Sequence, residues 1–375
     1  MVWYVDQDKL ENVAIGAGIL GTGGGGNPYY GKLHVKRLLD EGARVAVVEP
    51  DAVPDDALVV SVGAMGAPTV GIERISRGDE SLVALRALEE HLGRRATHLI
   101  PGEIGGGNST RPMAVGAMAG LPVIDGDGMG RAFPELQMDT FAIYGVSVTP
   151  AALADIYHNT VVFPHLADAV TLERYARAVT VQMGGAAGYA FPAMSGAEAR
   201  RTAVPMTLTL AERIGATVRD ARWAHRDPIA AVLAVAGGQV LFRGKVIDVV
   251  RRMAAGFARG SLTLDGLAAD RGARMTVDFQ NENLIAHRDG AVAAVVPDLI
   301  CLVDAETAAP ITTEVVRYGL RVAVLGIPAP AMLKTERALA VIGPAAFGYP
   351  DVPFTPLSGD YGGDMPAARP AATTA

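Results

Sequence analysis

The apolar residues between positions 6 and 20 follow two periodicities at once. Those from 13 to 19 alternate with other residues, as in a strand, but a longer set has helical spacing. That set is Leu10, Val13, Ala14, Ala17 and Leu20. Asp6 or Asp8 provides a side chain that can cap the first turn. We therefore predict a helix over 6–20.

Helical and strand periodicities then alternate up to about residue 125. The pattern predicts helices over 28–42, 79–92 and 110–119. It predicts strands over 44–49, 57–62, 96–100 and 121–125. Alternating strands and helices are typical of a parallel sheet covered by helices. We expect an α/β domain over 1–165.

The pattern becomes richer in strands after residue 165. Helices over 165–183 and 197–214 are followed by short strands at 239–243, 275–278, 284–286, 291–296, 299–303 and 321–325. Asp289-Gly290 lies between two of these strands and favours a hairpin turn. We predict a C-terminal α+β domain over 166–363 with a β-barrel or sandwich, followed by a disordered tail over 364–375.

Composition limits the class of protein. Half of the 375 residues are hydrophobic and the net charge is −7, which argues against a nucleic-acid partner. No apolar run reaches the ~20 residues of a membrane span, and the acidic start is unlike a signal peptide. The single Cys301 lies in an apolar strand and is expected to be buried. We expect a cytoplasmic homo-oligomer with no membrane partner.

Glycines make residues 21–26 the first candidate site. Backbone this free loses much entropy on folding, so it favours a loop that approaches a ligand closely. Asn27 can cap the next helix and Pro28 can begin it, and helix N-termini attract anions and polarised carbonyls. The candidate substrate-binding residues here are Thr22, Gly23, Gly24, Gly25, Gly26 and Asn27.

A second glycine loop over 101–109 follows a predicted strand. It contains Glu103 and adds Gly105, Gly106, Gly107 and Asn108 to the candidate binding residues. Ligands in parallel sheets bind beyond the carboxyl ends of the strands. We expect both loops to donate backbone N–H groups to one shared ligand.

Acid–base chemistry is most strongly indicated at 125–131. Asp127, Asp125 or Glu103 could act as a base, and Arg131 could bind a substrate carboxylate or stabilise developing negative charge. An Asp-Gly turn with a local salt bridge is the alternative. A divalent metal remains open, with Asp125, Asp127, His158 and His165 as candidate ligands.

One polar cluster interrupts the C-terminal strands. It runs from 278 to 283 and contains Asn281 and Glu282. Such a cluster either lines a cleft or forms a plain turn. We include Asn281 and Glu282 among the candidate substrate-binding residues.

Nucleotide binding is the main competing interpretation. Residues 21–26 match G-x-G-x-x-G, and Glu49 lies where a ribose-binding acid belongs. The motif must follow a strand, however, so it fails if the segment before it is helical. A Walker-type loop fails because Asn27-Pro28 replaces Lys-Ser/Thr.

Seven motifs in order resemble the S-methyl thiohydantoin desulfurase family. They are LGTGGGGNP (20–28), PGEIGG (101–106), DGDGMGRAFPEL (125–136), FQNE (279–282), VPDLI (296–300), RYG (317–319) and GPAAFGY (343–349). The resemblance extends over residues 8–360. It implies an α/β domain joined to a C-terminal part that contains a small β-barrel.

The resemblance also implies a hydrolase that acts on a five-membered cyclic ureide. Water would replace the methylthio group of an S-methyl thiohydantoin, giving a hydantoin and a thiol. Members of this family often occur together with hydantoinase- and oxoprolinase-type enzymes, which leaves two alternative functions. The protein would then be a nucleotide-dependent enzyme of that type, or a non-catalytic partner subunit of one.

Overall fold

The computed structural model describes residues 2–67, 70, 73–254 and 256–363. Two sheets dominate these residues, one covered by helices and the other curled. The predicted tail over 364–375 lies outside the described residues.

An eight-stranded mixed sheet organises the first part. Its strands, in spatial order, are β1 (Val2–Tyr4), β2 (Ala46–Val48), β5 (Val123–Ile124), β4 (His98–Pro101), β3 (Leu58–Gly66), β9 (Ala186–Ser195), β7 (Ala151–Ala154) and β8 (Thr160–Phe163). The four strands β2, β5, β4 and β3 are parallel, and the remaining pairs are antiparallel. The parallel centre confirms the predicted α/β class.

The described residues also form helices, several of which pack on this sheet. They are α1 (Gln7–Leu20), α2 (Pro28–Asp40), α3 (Glu80–Leu92), α4 (Arg111–Ala119), α5 (Thr140–Ile143), α6 (Ala169–Gln182), α7 (Gly196–Thr202), α8 (Thr207–Trp223), α9 (Pro228–Ala236) and, later in the chain, α10 (Glu336–Ile342). The helical interpretation of 6–20 is confirmed, with Asp6 accepting a hydrogen bond from Lys9 N. Asn27 caps α2 through Tyr29 N, and Pro28 is the first helical residue.

The structure divides one of the predicted helices into two separate helices. Instead of a single helix over 197–214, α7 ends at Thr202 and α8 begins at Thr207. A short strand, β10 (Val204–Pro205), separates them and pairs with β6 (Gly126–Asp127). Pro205 cannot donate a helical hydrogen bond, and Met206 has a left-handed φ of +63°, so the helix cannot continue.

A seven-stranded antiparallel sheet forms the second part and curls into a half-barrel. In spatial order it contains β15 (Ala291–Val295), β14 (Glu282–Arg288), β13 (Arg274–Gln280), β12 (Phe257–Gly266), β11 (Gln239–Ala254), β17 (Arg321–Ile327) and β16 (Leu299–Asp304). Asp289 and Gly290 have positive φ, which fits the predicted hairpin turn. The sequence analysis missed β12 and underestimated the length of β11.

Buried side chains join the two parts. The largest hydrophobic cluster contains Leu10 and Val13 of α1, Leu208 of α8 and Cys301 of β16. Strand β9 also lies beyond residue 165 yet belongs to the first sheet. No helix of the described residues is long and apolar enough to cross a membrane.

Candidate active site

A cavity of about 520 Å³ opens where the two glycine loops meet the second sheet. Its walls come from the loops after α1 and β4, the end of β3, helix α2 and the turn between β13 and β14. The predicted site residues that line it are Gly25, Gly26, Asn27, Glu103, Gly107, Asn108, Asn281 and Glu282. The remaining ones lie behind these walls or elsewhere.

The two glycine loops contact each other through their backbones. Gly107 N donates to Gly26 O at 3.0 Å, and Asn108 N donates to Gly25 O at 3.3 Å. A Cβ at Gly106, where φ is +52°, would overlap Gly26 O. Glycine is therefore required here by the close approach of two backbones.

These contacts change the role that we assigned to the loop amides. The N–H groups of Gly107 and Asn108 are used between the loops, and Gly24 N donates to Gly21 O at 2.8 Å. The backbone of Gly25 lowers the pKa of the nearby Glu282 carboxyl. The glycines thus hold the wall of the cavity together, and the amides of Gly24, Gly107 and Asn108 do not face a ligand.

Glu103 is a buried acid on the cavity wall, with 7% of its surface exposed. Its Oε1 accepts a hydrogen bond from Asn108 Nδ2 at 2.5 Å, and Asn108 is itself fixed to both backbone groups of Ala64. Its Oε2 has no partner among the described residues. Burial raises the pKa of Glu103 to about 8, and the nearby charge of Asp127 acts in the same direction.

Glu282 brings a second acid from the other half of the chain. It follows Asn281, which forms the tip between β13 and β14 with a φ of +56°. A Cβ at Gly24 would overlap Glu282 Oε1, so the carboxyl lies directly on the first glycine loop. Burial, and then the charge of Glu103, raise the pKa of Glu282 well above its usual range.

Together these two acids form a carboxyl pair, Glu103 and Glu282. Each has an Oε2 that lacks a hydrogen bond within the part of the chain that the structure describes. Buried polar atoms are almost always satisfied, so two free oxygens in one cavity indicate a ligand or a reactive site. Two buried carboxyls of raised pKa, one of which is affected by the charge of the other, are suited to proton transfer with a ligand in the cavity.

Asp127 supports the loop that carries Glu103. Its Oδ2 accepts hydrogen bonds from Ile104 N at 2.8 Å, Met129 N at 2.9 Å and Gly130 N at 2.8 Å. Burial nevertheless raises its pKa to about 7. Asp127 does not line the cavity, so its contacts favour a positioning role over that of the base.

Arg131 is completely buried and its donors are occupied. It donates to the backbone oxygens of Ala132, Pro297, Asp298 and Asn283, and to Thr22 Oγ1 at 2.9 Å. The role of substrate-carboxylate ligand that we predicted does not fit this arrangement, because no donor is directed into the cavity. Its positive charge still lowers the pKa of Glu282, opposing the effect of burial.

The four metal candidates do not come together. Asp125 accepts hydrogen bonds from the backbone and hydroxyl of Thr209. His158 is exposed and contacts Asp79 at 3.1 Å, and His165 is also exposed. Among the described residues, no group of three or more His, Cys, Asp or Glu is placed to hold an ion. The metal set stays a prediction that the placement of these four residues does not support.

The remaining predicted residues are structural supports. Thr22 has a φ of +52° and its carbonyl accepts from Asn283 N at 2.8 Å. Gly23 O accepts from Thr313 N at 2.9 Å. A Cβ at Gly105 would contact the Cβ of Ala132. The contacts of Thr22 and Gly23 attach the first glycine loop to the C-terminal half, and Gly105 packs against Ala132 within the first part.

Two cavity residues escaped the sequence analysis. Tyr189 of β9 is buried, and a Cβ at Gly102 would overlap its hydroxyl. Arg111 begins α4, next to Asn108. A cation in the first turn of a helix opposes the helix dipole, and that mismatch was the available signal. Tyr189 in its apolar strand gave no signal.

Two family models match this chain, one over each of its two parts. The S-Me-THD-like N-terminal domain matches residues 8–165, and the S-Me-THD-like C-terminal domain matches residues 167–357. A crystal structure of a protein from Chromobacterium violaceum is similar, with 27% identity and a TM-score of 0.78 over 95% of this chain and 100% of that one. No curated protein matches. The chain belongs to the S-Me-THD-like family.

Proposed function

We propose that this protein hydrolyses an S-methyl thiohydantoin to a hydantoin and methanethiol, with Glu103 and Glu282 as the proton-transfer pair. The observation that carries the proposal is the free Oε2 atom on each of these buried acids in one cavity. Family membership supplies the substrate class.

The chemistry needs one acid and one base at the same carbon. A neutral carboxyl donates a proton to the ring nitrogen beside the carbon that bears sulfur, which makes that carbon electrophilic. The ionised partner takes a proton from water as its oxygen attacks. A C–O bond forms and the C–S bond breaks. Sulfur takes the proton that the base removed from water and leaves as methanethiol. The hydroxyl proton on the attacked carbon returns to the carboxylate that acted as acid, so the ring keeps a carbonyl and an N–H.

The surroundings of the carboxyl pair support the assignment of one member as the acid and the other as the base. Raised pKa values keep a carboxyl neutral near pH 7, which an acid catalyst requires. Like charges in a low-dielectric cavity disfavour two ionised carboxylates, so ionisation of one member favours the neutral form of the other. Arg131 beneath them favours the ionised form of one member.

Substitution of either acid tests the proposal. We expect Glu103→Gln and Glu282→Gln each to lower kcat for methanethiol release by at least about 100-fold, the usual range for acid–base groups. Glutamine preserves size, and at 103 its oxygen can still accept from Asn108. Glu90→Gln, which makes the same change on an exposed face of α3, is the matched control.

Thermal-shift measurements separate the alternatives. Hydantoins should raise the melting temperature, and ATP or NAD should not. A response to nucleotides alone would favour the nucleotide-dependent alternative. Full activity of both acid variants would contradict the proposed pair, and binding without turnover would favour a partner subunit.

A further inference from the structure

Arg111 presents an unused guanidinium to the cavity. It lines the wall and is partly buried, and no hydrogen bond or ion pair joins it to a described residue. The acid whose charge acts most on its pKa is Glu80, and the oxygens of Glu80 already accept hydrogen bonds from the Ser76 hydroxyl, Arg77 N and Gly78 N. An arginine remains charged in proteins, so this cation requires an anion or water.

The other arginines on the cavity wall are engaged. Arg74 donates to the carbonyls of Met183 and Ala186, both at 3.1 Å. Arg77 pairs with Asp79 at 3.4 Å. Arg177 bonds Glu173 and the carbonyl of Pro134. Arg37 faces Glu41 at 3.9 Å. Within the described part of the chain, Arg111 is thus the cavity arginine for which neither an ion pair nor a side-chain hydrogen bond is found, whereas the exposed Arg37 and Arg77 each have an acidic neighbour.

Arg111 lines the same cavity as the carboxyl pair and Tyr189. The hydroxyl of Tyr189 is influenced by both: the charge of Glu103 raises its pKa and that of Arg111 lowers it. The loop residues Asn108 and Arg111 are three positions apart, and Asn108 bonds Glu103. A ring held at the carboxyl pair would therefore direct a substituent toward Arg111.

We infer that the substrate ring carries a side-chain carboxylate and that Arg111 binds it. The inference rests on the proposed function and narrows its substrate class to cyclic ureides derived from acidic amino acids. The planar guanidinium matches a carboxylate in two parallel hydrogen bonds. A single cation matches a single negative charge, and a partly buried site strengthens the attraction.

Arg111→Gln tests the inference by kinetics. We compare two S-methyl thiohydantoins, one with an acetate side chain and one with the neutral acetamide. The variant should raise KM for the acetate compound at least about tenfold, which is typical for loss of a charge-assisted hydrogen bond, and leave the acetamide compound within about twofold. Lys36→Gln removes a charge from the exposed face of α2 and is the control. Arg111→Lys should restore part of the affinity.

Binding of the products provides a readout that does not need turnover. By calorimetry, the hydantoin with an acetate side chain should bind wild type more tightly than its acetamide, and Arg111→Gln should remove the difference. Equal affinities in wild type, or an unchanged preference in the variant, overturn the assignment of Arg111. If wild type binds the acetate compound preferentially but does not turn over either S-methyl thiohydantoin, the proposed reaction is overturned and the assignment of Arg111 stands.

Discussion

At the scale of single residues, two neighbouring buried acids have different roles. Asp127 directs its Oδ2 at three backbone N–H groups behind the cavity wall, whereas Glu103 lies on the wall itself. Each leaves its other oxygen without a partner among the described residues, and both have raised pKa values because both are buried. Their places relative to the cavity, and not their pKa values, therefore distinguish a positioning residue from a proton-transfer residue.

The positioning role predicts a large loss of stability for one substitution of Asp127 and a small loss for another. Asp127→Ala leaves three buried N–H groups without an acceptor and should lower the free energy of unfolding by at least about 3 kcal/mol. Asp127→Asn keeps an acceptor oxygen and should cost about 1 kcal/mol, with kcat within about tenfold of wild type. Chemical denaturation and steady-state kinetics measure both. A loss of kcat beyond about 100-fold in a folded Asp127→Asn would instead identify Asp127 as the base.

The sequence was informative about residues in loops and less so about their roles. Glycines, carboxylates and Asn281-Glu282 were all visible, and many of them line the cavity. Their hydrogen-bond partners come from positions up to 290 residues away, as for Thr313 and Gly23. Arg131 could not be distinguished from a substrate ligand because its acceptors are backbone oxygens of the distant C-terminal half.

At the scale of elements, the two glycine loops behave as one unit. Hydrogen bonds of Gly107 and Asn108 join them, and side chains at Gly24 or Gly106 would fill the space that the contacts occupy. Local patterns predicted the helices that flank the loops because caps and periodicity are local signals. They failed at 203–206, where pairing of β10 with β6 decides the structure.

Alanine substitutions of glycines with positive φ should distinguish the cost of backbone strain from the cost of steric overlap. Gly42→Ala has φ of +95° and open space around it, so it should cost only about 1 kcal/mol. Gly106→Ala adds overlap with Gly26 O and should cost a further 1–3 kcal/mol, roughly the range for overpacking. Melting curves of the two variants measure this difference. Equal costs would show that the loops can separate without penalty.

At the scale of the whole molecule, several buried acids share raised pKa values. They are Glu103 at about 8, Asp127 at about 7, Asp139 at about 7 and Glu282. An acid whose pKa is higher in the folded state stabilises the fold below its unfolded pKa. That contribution is lost as pH rises through the folded value. Glu80 and Glu89 have lowered pKa values and act in the opposite sense in acid.

The free energy of unfolding should therefore be greatest in mildly acidic solution. We expect it to fall from about pH 5 to about pH 9, by up to about 1.4 kcal/mol per pH unit for each acid inside its window. In Glu103→Gln the decline should be shallower between its usual pKa and about 8. Denaturation at several pH values measures both slopes. Parallel slopes would mean that Glu103 ionises normally in the folded protein.

The tip at Asn281 and Glu282 has a consequence for biosynthesis. Because it completes the cavity from the second part of the chain, a ribosome must synthesise the polypeptide as far as residue 282 before both acids exist together. A truncated product would retain the glycine loops and Glu103 but lack the second acid. Turnover would thus show that translation has passed this hairpin. A protein divided before the hairpin would regain activity only when its two fragments reassociate.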